Sequence, residues 1–403
     1  MTTTEQSYAT PPQLTESLKK YQNTSAFVGL VFLGLLVAGY FMAGEQQFLR
    51  SYLVGFFMWF GAGAGCLALL MTQYLTGGAW GVMIRRLLEA GAKTLYVMWF
   101  GFLPLLLGAQ QIYWWTTPAG LADKRIHEKV LYLNVEFLWI RWVIYGVIWL
   151  GLTYLLNKWS ALEDETKSTD YSKKLESLSA PGVIAFFFTM TFASVDYLMV
   201  LEPHWFSTIY GFLTIIGEGL TAFCLINIVM ALLAKHEPFN HLITDKHRHD
   251  LGKLTLAFVM LWAYLNFSQL LITWSANLPD EVVWYIKRWN GGWGSVATLL
   301  WVFQFFVPFG LLLSQTNKKS PAKIAGISAF ILVVRALDYC FLVEPNFTDA
   351  RNVQFNAHWL DIIAPIGFGG LWLALFFRNL SQTRLLPIGA PDFQKALNHG
   401  RDH

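Results

Sequence analysis

Five ionisable side chains stand where such groups are scarce: Arg141, Asp196, Glu218, Arg335 and Asp338 each fall within a run of apolar residues long enough to cross a bilayer. A charge near mid-bilayer costs at least about 2.5 to 3.5 kcal/mol on insertion scales, so each needs a partner or a use. Arg335 and Asp338 are three residues apart, share a helix face and can neutralise one another with no further role. Asp196 has no base within its own run, so it must reach Arg141 across a bundle, carry a proton, or face water. A buried carboxyl without a counter-ion suits a group that takes and gives protons. Glu218 lies in Gly217-Glu218-Gly219, whose small residues admit a neighbouring helix or water. Towards the other half of the bilayer lie Thr189, Thr191 and Ser194 in the run of Asp196, Thr221 and Asn227 in that of Glu218, and Gln73 with Tyr74 near the end of another run. Together these residues are candidates for a proton path, although Ser and Thr often bond only to their own helix backbone.

The elements that must hold these groups follow from composition. Hydrophobic residues make up 55% of the 403 and charged residues only 14%, against about 25% charge in a soluble domain. So few charges cannot coat a water-facing surface, and the expected fold is an all-α integral membrane protein. The expected spans are ten, at roughly 26–44, 52–75, 94–115, 137–156, 183–201, 209–234, 254–274, 294–313, 323–341 and 362–379. Asp196 and Asp338 then lie roughly 20 and 22 Å from the start of their spans, in one layer with Glu218. An even number of spans puts both termini on one side. That side carries 20 Lys and Arg against 7 opposite, with Arg141 and Arg335 inside spans. Basic residues are retained in the cytoplasm, so both termini are expected there. Residues 1–25 and 381–403 read as tails, the first without a signal peptide's apolar segment, and 158–179 reads as a solvated loop.

An internal repeat organises the spans. Span five ends in Asp196-Tyr197, four apolar residues, Glu202-Pro203, and span nine ends in Asp338-Tyr339, four apolar residues, Glu344-Pro345. Weaker echoes pair Gln110 with Gln269 and Glu89-x-Gly91 with Asp250-x-Gly252. An offset of four spans keeps the orientation, so the repeat is parallel. The expected organisation is a first span (26–44), a four-helix bundle of spans two to five (48–203), a second of spans six to nine (204–345), and an outer loop with the tenth span (346–380). Glu202, His204, Trp205 and Glu344 sit at the outer interface, where proline stops each helix. They read either as capped turns in an aromatic belt or as a docking surface for an outer subunit.

Several chemistries are not expected. The three cysteines, Cys66, Cys224 and Cys340, are isolated from one another, none of the nine histidines lies inside an apolar run, and no GxxxxGK[ST] occurs. Metal centres, iron–sulphur clusters, haem and bound nucleotide are therefore not expected of this chain, and neither is nucleic acid as a partner; lipid is.

The stretches DYLMVLEPHWFSTIYG (196–211) and SQLLITWSANLPDEVVWY (268–285), with ten spans and a doubled four-helix bundle, resemble the NrfD-like (polysulphide-reductase) membrane subunits. Within them the chain is most similar to the F-subunit type of alternative complex III, the bacterial quinol:cytochrome c oxidoreductase. The resemblance covers about residues 26–380. It implies an inner-membrane location and partners: a periplasmic multihaem cytochrome c, an iron–sulphur subunit, a second and larger NrfD-like subunit, and often a terminal haem–copper oxidase. It also implies proton half-channels in the bundles and a quinone as ligand. Oxidising a quinol usually needs a histidine beside an acid, and no span contains one, so the chain is expected to be a non-redox, structural and proton-conducting partner. The alternative from another class is a free-standing proton-coupled secondary transporter, against which the parallel repeat counts.

Overall fold

The computed structural model describes residues 11–348 and 353–399. Among these the chain is helical without strands, an all-α integral membrane protein with ten helices long and apolar enough to cross a bilayer. They are α1 (Pro12–Ala43), α2 (Glu45–Thr76), α3 (Ala79–Leu107), α4 (Val135–Thr166), α5 (Thr169–Tyr197), α6 (Tyr210–Leu233), α7 (Asp245–Ala276), then α9 (Trp293–Leu313), α10 (Pro321–Val343) and α11 (Leu360–Ser381). An amphipathic helix, α8 (Pro279–Trp289), lies between α7 and α9, and a short α12 (Phe393–Asn398) ends the described chain.

The helices begin and end for local reasons. Pro12 stands in the first turn of α1, where its missing N–H has no partner to lose. Gly44, with φ of +85°, turns α1 into α2 in one residue, a conformation that side-chain-bearing residues rarely adopt. The Thr244 and His247 side chains form a reciprocal cap at the start of α7. In α9 the stretch Trp301–Phe306 widens into a π-helix just before Pro308. A proline cannot donate to the carbonyl four residues back, here that of Gln304, so the ladder is already broken there.

α2 and α6 are the most enclosed helices and pack directly on each other. Around α2 stand α3, α5 and, through α5, α4; around α6 stand α7 and α10, with α9 behind them. α1 and α11 pair along their length and lie against α2. Two four-helix groups thus meet along the α2–α6 seam, flanked by a helical pair.

Three expectations about loops and tails need correction. Residues 12–25 are not tail but the first turns of α1, with Leu14 and Leu18 buried; residues 1–10 and 400–403 lie outside the described residues. Residues 79–93 are not a loop before the third span. They form a helix with Val82, Ile84, Leu87 and Leu88 buried, and it continues into that span. Residues 158–179 are not a solvated loop either, because α4 and α5 run on to a tight turn at Lys167 and Ser168, where Ser168 Oγ accepts the Asp170 N–H at 3.2 Å. Burial of Ser160, Glu163 and Asp164 explains why such a polar stretch stays helical.

Candidate functional site

Asp196, on α5, is buried and fully engaged. Arg141 Nε on α4 donates to its Oδ2 at 2.8 Å, Tyr145 Oη to the same oxygen at 2.7 Å, and Tyr132 Oη to Oδ1 at 2.8 Å. Arg141 also donates to the Tyr132 carbonyl at 2.9 Å and stacks 4.0 Å above the Tyr132 ring. Of the three fates open to Asp196 in the sequence, the structure shows pairing with Arg141. The two tyrosines were not foreseen, although Arg141 and Tyr145 are four apart and so share a helix face.

The duplicated position behaves differently. Asp338 on α10 pairs with Arg335 one turn earlier and accepts Trp262 Nε1 at 3.2 Å. It borders two small cavities, of about 30 and 50 Å³, shared with Trp262, Asn266, Trp284 and Tyr285. Each is large enough for at least one water. Amide side chains reach the first of them through Asn266 and Gln269, and Gln269 in turn accepts a hydrogen bond from Ser207. The first copy of the repeat thus closes its acid with three donors, and the second leaves room for water.

Glu218 lies at the α2–α6 seam. A Cβ on Gly61 would come within 2.8 Å of Glu218 Cγ and 3.3 Å of Tyr339 Oη, and one on Gly65 would collide with the Glu218 carbonyl oxygen. On its own helix, Gly217 is covered by the Arg335 guanidinium. The glycines of α2 therefore let the two central helices touch where Glu218, Arg335 and Tyr339 converge. Glu218 is buried, and neither of its carboxyl oxygens has a hydrogen-bond partner.

The hydroxyls proposed for an inner chain mostly bond within their helices. Ser194 donates to the Thr191 carbonyl, Thr221 to that of Gly217 and Thr189 to that of Ala185. The Thr191 side chain packs against Gly211 of α6. Two reach across helices: Thr189 Oγ1 also accepts Trp149 Nε1 of α4 at 2.9 Å, and Asn227 donates to Thr255 Oγ1 at 2.9 Å and Ser328 Oγ at 3.2 Å, tying α6, α7 and α10 together.

On the face that carries α12, the structure gathers a cluster that sequence reasoning missed. Arg85 Nη2 lies 2.6 Å from Glu163 and 2.7 Å from Ser160 Oγ, Arg86 pairs with Glu89 and Asp164, and all five charged groups are buried. Asp164 Oδ1 also accepts the Gly389 N–H at 3.0 Å, and His247 meets the Ala396 carbonyl at 3.0 Å. The chain after α11 thus crosses from one helix group to the other. The pattern Arg85-Arg86-x-x-Glu89 carried the signal, since those positions face one another on a helix.

On the opposite face a cavity of about 810 Å³ is lined by Gln46, Arg50, Gln111, Trp114, Glu202 and His204, among others. Glu202 pairs with Lys287 at 2.5 Å, and His204 lies 3.2 Å from Asp123. Trp205 is buried against Trp284 with ring centroids 5.0 Å apart, and Glu344 is fully enclosed. Of the four residues considered for docking, Trp205 and Glu344 therefore offer no free surface, Glu202 is nearly covered, and His204 alone presents a substantial part of its side chain. Nearby, Arg288 on α8 is buried and holds the Phe341 and Leu342 carbonyls at 3.2 and 2.7 Å, stacking 3.6 Å over Trp284. Burial pushes its guanidinium down to about 9, still charged at neutral pH.

A lateral groove of about 710 Å³ runs between α1, α2, α10 and α11, walled by Val28, Trp59, Leu332 and Ile366 with Asp361 at one end. Among the described residues no group of three or more His, Cys, Asp or Glu is arranged to hold a metal ion. Compared with known families and with characterised proteins, the chain finds no match.

Proposed function

We propose that the chain is the integral membrane, proton-conducting partner within a respiratory quinol:cytochrome c oxidoreductase of the alternative complex III type, with the redox centres on companion subunits. Glu218 carries this reading: a buried carboxyl at the seam between two helix groups, with both oxygens free of partners. A carboxyl so placed can receive a proton on one oxygen and pass it to water from the other. Arg335 lies alongside, and the water-sized cavities at Asp338 lead from that arginine towards α8. The companions are those the resemblance implies: a multihaem cytochrome c, an iron–sulphur subunit, a larger NrfD-like subunit and a haem–copper oxidase, in a bacterial inner membrane with both termini cytoplasmic.

The test is purification in mild detergent followed by reconstitution into vesicles. The chain is expected to come out with haem proteins, and Glu218→Gln in that complex should keep quinol oxidation while reducing protons released per electron at least twofold. Purification of the chain alone, with a proton-coupled solute flux, would favour the transporter instead. An unchanged proton yield in Glu218→Gln removes Glu218 from the path. The lateral groove favours a second reading, in which an isoprenoid quinone lies against Trp59 and Val28 with its head near Asp361.

A further inference from the structure

Glu344 and Glu202 hold the same place in the duplicated Asp-Tyr…Glu-Pro frame, but their surroundings differ. Glu202 meets Lys287 at 2.5 Å. Glu344 has 0% exposure and no hydrogen-bond partner on either oxygen. The turn that carries Glu344 and the start of α11 meet at one place on α2: Arg50 covers Phe347 of that turn, and its neighbour Ser51 bonds Asp361, so that Arg50 and Asp361 both act on Glu344 electrostatically, with Cys340 one turn back on α10. His358, just before α11, stands beside Asp361. Asp361 is held in place by Ser51 Oγ, which donates to its Oδ1 at 2.5 Å, and by the His358 N–H, which donates to Oδ2 at 2.8 Å. Arg50 lies 3.9 Å over the Phe347 ring, keeps its Nε unpartnered, and lines the outer cavity.

Two carboxyls facing one guanidinium leave one negative charge in excess if both ionise, and acids that share a site titrate as a pair. An orphaned, enclosed carboxyl costs free energy unless a proton or water satisfies it. We propose that Glu344 and Asp361 form a proton-holding acid pair that keeps one exchangeable proton opposite Arg50, the member of the cluster that borders the outer cavity. On release the carboxyl O–H bond breaks, the proton passes to a water that enters past Arg50, as hydronium, and the pair is left with both charges facing Arg50; loading is the reverse. The site lies outside the Asp196, Glu218 and Asp338 layer. Its place at the outer end of a proton path rests on the function proposed above, but its protonation can be read without turnover.

Infrared spectra of the full-length protein in lipid nanodiscs, recorded at neutral pH without quinol or oxidase, test this through the C=O stretch of protonated carboxyls. Glu344→Gln and Asp361→Asn are each expected to abolish one and the same band, the double variant to remove no more than either single, and Glu218→Gln to leave that band intact. Singles that leave every carboxyl band in place, or that remove separate bands adding up in the double, would overturn the pair. If Glu344→Gln fails to fold, Glu344→Asp decides: a retained band at a shifted frequency supports the pair, and an unshifted band refutes it. Loss of proton transport in Glu218→Gln with no Glu344 band, or the converse, separates the two readings.

Discussion

At the scale of single residues, identical positions in a repeat have acquired opposite environments. Asp196 is surrounded by Arg141, Tyr132 and Tyr145, whereas Asp338 keeps one indole donor, one arginine and adjoining water-sized space. Such saturation makes Asp196 a structural ion pair first. Asp196→Asn leaves Arg141 buried and uncompensated, which costs about 3 to 5 kcal/mol, so the midpoint of thermal unfolding in detergent should fall. Replacing both Arg141 and Asp196 by Met and Leu should recover most of it. A single variant as stable as the parent would show that Arg141 has found another anion. The sequence made the five intramembrane charges plain, because charges stand out against apolar runs. It left open which of them meet, since pairing across helices depends on rotation about each axis, and Tyr132 lay hidden in a loop.

At the scale of elements, the α2–α6 contact depends on Gly61 and Gly65. A Cβ at Gly65 would meet the backbone carbonyl of Glu218, which cannot turn aside as a flexible side chain can. Gly65→Ala should therefore force the helices apart and cost about 1 to 3 kcal/mol, as overpacked cores do. Gly34→Ala, on α1 with nothing within 4 Å of its added methyl, should be neutral or slightly stabilising through helix propensity. Thermal unfolding of the two variants side by side distinguishes a packing requirement from mere loss of glycine. If Gly65→Ala is as stable as Gly34→Ala, the seam is looser than the contact implies. Existence of the ten helices was legible because apolar length is a strong signal. Where they begin and end was not: polar extensions such as Arg85 to Glu89 and Ser160 to Asp164 look like loop until their partners are known, and those partners are each other.

At the scale of the whole molecule, the buried cluster bears on orientation. Arg85 and Arg86 were counted among the basic residues on the side of the termini, yet in the fold they are neutralised by Glu89, Glu163 and Asp164. Dropping those two from the 20 leaves 18 against 7 opposite, so the asymmetry does not depend on them. Orientation is set while helices insert, before α4 arrives to supply Glu163 and Asp164, so charges later buried still act as retained cations at that stage. The termini should therefore face the cytoplasm, and α8 the opposite compartment. Asp280, in the first turn of α8, is exposed and pairs with Arg125, itself exposed, so a tag there disturbs little. A reporter active only outside the cytoplasm should work when inserted after Asp280 and stay silent when fused after His403. The reverse pattern would invert the molecule, placing the Arg85 cluster outside and turning the cavity at Glu202 and His204 towards the cytoplasm, away from the periplasmic partner proposed above.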